Sequence, residues 1–223
     1  MKQLKAWCGI GLLMVGVAGG VLAQDDGRRF KLTPLDEMTP AQRAIADAIR
    51  SGPRASTGNS SATVAATTIG SPFNEWLRSP ELADHMQKLG AHIRFKSSLP
   101  PRLNEFAILV TARHWTSQYE WFAHHRLAMQ AGLNPQVAED LAQGRRPANM
   151  KDDEAIVYDF STEMHKTHQV SDATFKAARD QFGEQGVIDL IAVNGYYVLV
   201  SMTLNVNRTP VQGGGKPPLP ILK

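Results

Sequence analysis

The stretch that decides the fold runs from Leu99 to Gly132 and reads LPPRLNEFAILVTARHWTSQYEWFAHHRLAMQAG. It concentrates two glutamates, two tryptophans, a tyrosine and three histidines among apolar, helix-forming residues. Glu105, Glu120 and His124 are acid–base groups on segments whose other faces are predicted to be buried, and burial shifts the pKa of such groups. We therefore expect the chemistry of the protein in this stretch.

A break must divide this stretch if its acidic groups are to act together. On one uninterrupted helix, Glu105 and Glu120 would lie about 22 Å apart along the axis, too far to share a substrate. Ser117 and Glu120 match the S/T-x-x-E capping box that begins a new helix, so we predict a break near residues 115–116. His124 lies one turn beyond Glu120 on the same helix face, so both can reach one pocket. The capping box also offers a purely structural interpretation of Glu120.

Helix signals recur along the rest of the chain, and strand signals do not. Six predicted helices begin at Thr39-Pro40 (to Ser51, before Gly52), Ser71-Pro72, Ser79-Pro80, Asn134-Pro135 (to about Gly144), Asp152 (through His165) and Ser171 (to Gly183). Residues 51–70 contain few large apolar side chains, which favours an irregular connection or an active-site flap. A last helix, from about Gly186 to Asn205, is nearly all apolar. Its few polar residues favour a buried core or subunit-interface helix over a membrane span.

The two ends of the chain are predicted to lie outside the domain. Lys2 and Lys5 precede an apolar run that ends in small residues, so residues 1–23 are predicted to be a signal peptide, with an uncleaved anchor as the alternative. Export to the periplasm or secretion follows from the first interpretation, with no stable membrane insertion after cleavage. Residues 24–208 then form one domain. Residues 209–223, rich in Pro and Gly, form a tail predicted to be disordered or wrapped on a neighbouring subunit.

Cysteine content and charge exclude several classes of function. Cys8, the only cysteine, is removed with the predicted signal peptide, so the mature chain would have no disulfide and no thiolate nucleophile or metal ligand. The formal net charge of +3 falls to about +1 on cleavage, because Lys2 and Lys5 are lost. We therefore expect no nucleic-acid partner. About 200 residues suffice for one domain with a full core.

The order and spacing of several motifs resemble the carboxymuconolactone decarboxylase family, which includes the alkylhydroperoxidases. The resemblance covers roughly residues 35–208 and is carried by Gly70–Asn74, Ser79–Ala83, Glu105, Ser117–Trp121, His124 and Gly132–Asn134. It implies an all-α, compact multi-helix domain of the alkylhydroperoxidase-like type. It also implies a homo-oligomer, a trimer or hexamer, that needs no cofactor.

Position by position, the resemblance separates two branches of that family. The conserved upstream glutamate corresponds to Glu105 and the distal histidine to His124. Where the alkylhydroperoxidases have two cysteines bracketing a histidine, this chain has Ser117, Tyr119 and Glu120. A serine cannot form the disulfide that the thiol mechanism requires, so thiol peroxidase activity is disfavoured. The resemblance thus implies the decarboxylase branch, a carbon–carbon lyase acting on a small lactone or cyclic carboxylate.

The residue types suit such a reaction, in which loss of CO₂ leaves an enolate-like oxyanion that must be stabilised and then protonated on carbon. His124 and Tyr119 could donate hydrogen bonds to the oxyanion, and Glu105 or Glu120 could supply the proton. The candidate substrate-binding residues are Arg113, Ser117, Trp115 and Trp121. Plain core packing is the alternative for the aromatic residues, and a salt bridge is the alternative for Arg113.

Two further interpretations concern metal and the absence of catalysis. His165 and His168, with Glu163 nearby, could ligate a metal, but they fall at a helix end, where a cationic histidine is favourable anyway, so we predict no metal site. A non-catalytic binding or scaffold protein that retains the fold is the alternative to an enzyme. The two differ in whether Glu105, Glu120 and His124 line one pocket.

Overall fold

The computed structural model describes residues 26–57, 67–211, 215 and 217–222, and its regular secondary structure is helical. The predicted signal peptide, residues 1–23, lies outside the described residues. The α-helices are α1 (Pro40–Ser51), α2 (Phe73–Trp76), α3 (Pro80–Phe95), α4 (Pro101–His114), α5 (Gln118–Gln130), α6 (Pro135–Ala142), α7 (Asp152–Thr167) and α8 (Asp172–Asn207). Short 3₁₀ helices cover Leu35–Glu37 and Pro53–Thr57. The predicted all-α class is confirmed.

Local capping chemistry determines where several of these helices begin. The Thr39 hydroxyl accepts a hydrogen bond from the backbone N–H of Gln42, whose side chain accepts one from the N–H of Thr39, so a capping box begins α1. Asn134 caps α6 in a similar way by accepting from the N–H of Gln136. Each of these helices has proline at its first position, where no backbone donor is lost.

The long helix α8 is interrupted where the sequence predicts one helix to end and the next to begin. Gly183 has φ 69° and ψ 176°, a non-helical backbone conformation that residues other than glycine rarely adopt. The stretch after it, predicted to run from about Gly186 to Asn205, is helical as far as Asn207. By length and composition α8 could cross a membrane, with a mean hydropathy of 1.6 in its most apolar window, and half of that window is buried in the domain.

Helix α4 is the central element of the core. All of its residues from Leu103 to Arg113 are buried, and it packs against α5, α7 and α8. Phe106, Ile108 and Leu109 are completely buried, and each contributes about 1.5–3 kcal/mol through the apolar surface it removes from water. Because α4 is surrounded by other helices, the polar side chains it carries must find their partners inside the protein.

The C-terminal tail packs against its own domain, which corrects the prediction of a disordered or neighbour-bound segment for residues 217–222. The backbone N–H of Leu219 donates to Gln118 Oε1 at 2.8 Å, and Gln118 Nε2 donates to the Leu219 carbonyl at 2.9 Å. The Leu219 side chain is buried, and the Arg113 guanidinium donates to the Pro220 carbonyl. The sequence offers no periodic pattern here, so these contacts could not be predicted.

Candidate active site

Glu120, in the first turn of α5, is buried, and the junction between α4 and α5 determines its position. Thr116 adopts a left-handed conformation, with φ 47°, which breaks the helix at the predicted place. The predicted capping box does not form, because the backbone N–H of Ser117 donates instead to the Ala112 carbonyl at 2.8 Å. The capping interpretation of Glu120 is therefore wrong. This side chain points to His124, one turn further along α5.

His124 lies between two glutamates, each facing one of its ring nitrogens. Nδ1 is 2.6 Å from Oε2 of Glu105, and Nε2 is 3.1 Å from Oε1 of Glu120. Glu105 comes from α4 and Glu120 from α5, so the packing of these two helices forms the group. The exposed fraction is 8% for Glu105, 3% for Glu120 and 4% for His124, so all three residues are buried.

The two carboxylates keep His124 protonated in spite of its burial. Burial lowers the pKa of the imidazole, but the Glu105 and Glu120 carboxylates outweigh this effect and raise the pKa to about 9. At neutral pH the ring is an imidazolium that can donate from both nitrogens, one to each carboxylate. The Tyr197 ring meets the imidazole edge-on at a centroid distance of 5.1 Å.

Two arginines from distant parts of the chain lie beside this group. Nη2 of Arg94, on α3, is 3.8 Å from Oε1 of Glu105. Arg94 Nε is buried and has no hydrogen-bond partner among the described residues. Arg54, in the 3₁₀ helix Pro53–Thr57, stacks on the Phe73 ring at 4.8 Å and donates to the Gln87 carbonyl. Burial lowers its pKa. Both guanidiniums line the same cavity as His124.

The cavity at this site is small and mixed in polarity. Its volume is about 30 Å³, enough for one or two water molecules. The polar side chains that line it are those of Arg54, Ser71, Arg94, Tyr119, Glu120, His124, Tyr196 and Tyr197. Burial raises the pKa of Tyr196 and of Tyr197, so both hydroxyls stay protonated and can act as donors. Glu105 does not line the cavity itself but contacts His124, which does.

The structure brings together four of the predicted site residues. Tyr119, Glu120 and His124 line the cavity, and Glu105 contacts His124 directly. The sequence did not reveal Arg54, Arg94, Tyr196 and Tyr197, because they come from a 3₁₀ helix, α3 and α8 and share no motif spacing with α5. Arg54 and Arg94 carry no local signal that separates them from surface arginines.

The four predicted substrate-binding residues do not line this cavity. Arg113 donates to the carbonyls of Ala142 and Pro220 and to the Thr116 hydroxyl. Trp121 is buried and stacks on His125 at a centroid distance of 6.0 Å, as expected from the alternative of plain core packing. Trp115 and Ser117 lie at the α4–α5 junction. These residues were predicted at the site because they are close to His124 in sequence, but their side chains point away from the cavity.

No group of three or more metal-ligating side chains is found among the described residues. His165 stacks on His114 at a centroid distance of 4.9 Å, and its Nε2 is hydrogen-bonded with the Thr111 hydroxyl at 3.0 Å. His168 ends α7 in a left-handed conformation. These two histidines therefore have separate structural surroundings in this structure.

Comparison with known proteins supports the fold. No protein-family model and no curated protein matches the sequence. A solved structure does match: the crystal structure of an alkylhydroperoxidase AhpD core, an uncharacterized peroxidase-related protein from Ralstonia eutropha JMP134. It is 16% identical, the match covers 83% of this chain and 93% of that chain, and the TM-score is 0.67. The protein thus has an alkylhydroperoxidase-like fold.

Proposed function

We propose that the protein is a cofactor-free acid–base enzyme for a small cyclic carboxylate, and that its reaction is lactone decarboxylation or a related lactone conversion. The observation that carries this proposal is the buried Glu105–His124–Glu120 group beside Arg94. A buried histidine with a shifted pKa on the wall of a cavity, held between two carboxylates, is a candidate for acid–base chemistry. The sequence resemblance to the decarboxylase branch supplies the specific reaction class, a carbon–carbon lyase.

The charges of the site favour an anionic substrate. With both glutamates ionised and His124 protonated, the group carries one net negative charge, and Arg54 and Arg94 add two positive charges. The buried cluster therefore has one positive charge in excess, and a substrate carboxylate would neutralise it. Arg94, whose Nε has no partner among the described residues, can use its planar donors for that carboxylate. It takes the role that the sequence analysis gave to Arg113.

Each catalytic group then has a defined task. The bond between the ring carbon and the departing carboxylate breaks, CO₂ leaves, and the electron pair moves into the lactone carbonyl as an enolate. Tyr119, on the cavity wall, donates to the developing oxyanion. Glu120 passes a proton from His124 Nε2 to the carbanionic carbon, while Glu105 holds the ring through Nδ1. A lactone is larger than the cavity, so its binding requires the lining side chains to move.

Thiol-based peroxide reduction is not proposed, although the Ralstonia eutropha protein is described as peroxidase-related. The chain has one cysteine, Cys8, so it cannot form a disulfide within itself. The remaining alternative is a non-catalytic protein that binds small molecules or acts as a scaffold. Export of the mature protein, to the periplasm or outside the cell, stays a prediction from residues 1–23.

An apolar face on α8 supports the proposal of a homo-oligomer. Ile188, Ile191, Leu199, Met202 and Val206 are between 38% and 63% exposed and follow each other at intervals of three, eight, three and four residues. These spacings place them along one side of the helix, and a stripe of this kind marks a protein–protein contact. Light scattering of the wild type and of Met202→Glu, which puts a charge in the stripe, tests this. A monomeric wild type would contradict the proposal.

The test of the enzymatic proposal is incubation of the purified protein with a panel of carboxylated lactones, with CO₂ and ring-opened acids as readouts. Glu105→Gln, Glu120→Gln and His124→Gln should each lower kcat by about 10²-fold or more. Glu37→Gln, a change at an exposed glutamate that does not line the cavity, is the matched control and should leave kcat unchanged.

Two results would contradict the proposal. If no lactone of the panel is converted but some bind, the binding-protein alternative is favoured. If all three variants retain the turnover of the wild type, the chemistry lies elsewhere in the chain. Circular dichroism of each variant shows whether a loss of activity comes from unfolding.

A further inference from the structure

A second and larger pocket lies between α4, α6, α7 and the C-terminal tail. Its volume is about 320 Å³, in the range of pockets that hold small molecules. Val110, Leu141, Tyr158 and Leu222 give it an apolar part. It shares no lining residue with the cavity at His124.

The polar part of this pocket is cationic or basic. Arg113, His114, His165 and Lys166 line it, and no aspartate or glutamate is among its lining residues in the described part of the chain. Lys166 is exposed, lines the pocket and has no ion pair among the described residues. The pKa of His114 is lowered by burial and by the charges of Lys166 and His168, consistent with a positive local potential.

Arg113 provides the strongest sign that something is bound here. Its side chain is 6% exposed, yet the acceptors it contacts are the neutral oxygens of Ala142, Pro220 and Thr116. Arg113 Nε is buried without a partner among the described residues. A buried guanidinium is costly unless a negative charge compensates it, and here no carboxylate of the described chain does so.

We propose that this pocket is a binding site for a small organic carboxylate with an apolar body, separate from the candidate active site. The carboxylate would neutralise Arg113 and Lys166, and the apolar body would pack against Val110, Leu141 and Leu222. The stacked rings of His114 and His165 provide a flat polar wall on which a planar ligand can lie. An inorganic anion would leave the apolar part of the pocket unfilled, which is why an organic ligand is favoured.

Benzoate is a suitable probe, and benzamide is its neutral counterpart of similar shape. Binding is followed by NMR of the imidazole Cε1–H groups at constant ionic strength, with His114→Gln, His165→Gln and His124→Gln used to assign the three resonances. Benzoate should shift the His114 and His165 resonances saturably. The Kd of benzamide should be about tenfold higher than that of benzoate, because benzamide lacks the charge that strengthens hydrogen bonds to arginine.

Substitutions in this pocket test whether benzoate binds there. Thr162→Trp fills the pocket from a half-buried position on α7 and should abolish the shifts of His114 and His165. Lys166→Met should weaken benzoate binding about threefold, the size expected for an exposed ion pair, while Lys96→Met, an exposed lysine on another helix end, should not. Thr162→Trp should also keep any lactone turnover of the wild type, because Thr162 does not line the cavity at His124. A failed test of this pocket is therefore distinguishable from a failed test of the proposed enzymatic function.

The proposal is overturned if benzoate at about 10 mM, where ligands of millimolar Kd saturate, leaves the His114 and His165 resonances unmoved. It is equally overturned if benzamide binds as well as benzoate, or if the shifts persist in a folded Thr162→Trp protein. Saturable shifts with inorganic phosphate and none with benzoate would show an anion site of a different chemical class.

Discussion

Loss of the proton from His124 should make the protein less stable as the pH rises from 6.5 to 9. The pKa of this imidazole is about 9 in the folded protein, against an ordinary value of 6.5 that applies after unfolding. Because the folded pKa is the higher one, the contribution to stability is complete below pH 6.5 and is lost as the pH rises to about 9. The difference corresponds to about 3 kcal/mol, which is about 6–12 °C in Tm for a domain of this size.

Urea unfolding at several pH values between 6 and 9.5 measures this loss, with His124→Gln as the comparison. The free energy of unfolding of the wild type, minus that of the variant, should fall by about 3 kcal/mol across the window. His85→Gln, at an exposed histidine on α3, should keep the wild-type profile. The lowered pKa values of His114, His125 and His165 act below pH 6.5 and leave this window undisturbed.

Direct titration of the His124 ring by NMR avoids any effect of the substitution on folding. Its midpoint should lie near pH 9 in the wild type. A midpoint near 6.5, or parallel stability profiles for the wild type and His124→Gln between pH 6.5 and 9, would refute the view that the two glutamates hold an imidazolium.

Four further outcomes are expected. Arg94→Met should raise KM for a converted lactone about tenfold or more with a smaller change in kcat, measured by steady-state kinetics, since it removes charge-assisted contacts to the substrate. Dithiol-dependent peroxide reduction should be absent in a coupled assay and unchanged by Cys8→Ser. Phe160→Ala should lower the free energy of unfolding in urea by about 3–5 kcal/mol, because it empties a fully buried site on α7. Gly183→Ala should lower the free energy of unfolding by about 1–3 kcal/mol, because the added methyl group meets no atom and only the positive φ is unfavourable; an unchanged free energy of unfolding would contradict this.

The sequence alone determined the all-helical class and most helix boundaries. Thr39-Pro40 and Asn134-Pro135 mark helix starts through capping and proline geometry, and Ser79-Pro80 does so through its proline alone, since the Ser79 side chain makes no capping hydrogen bond. These signals depend on a few neighbouring residues. Spacing alone also placed Glu120 and His124 on one helix face, because residues four apart on a helix are always neighbours. The break at residues 115–116 was predicted correctly, although the capping box used to predict it does not form.

Only the tertiary structure decided what surrounds His124. Arg94 and Tyr197 reach it from α3 and α8, and no local pattern encodes contacts between residues so far apart in the chain. The same holds for Arg113, which is near His124 in sequence yet belongs to another pocket, because the direction of a side chain depends on how its helix is packed. Glu105 lies between these cases. The resemblance singled out Glu105 and His124 together, but the packing of α4 on α5 brought the carboxylate within 2.6 Å of the imidazole and buried both groups.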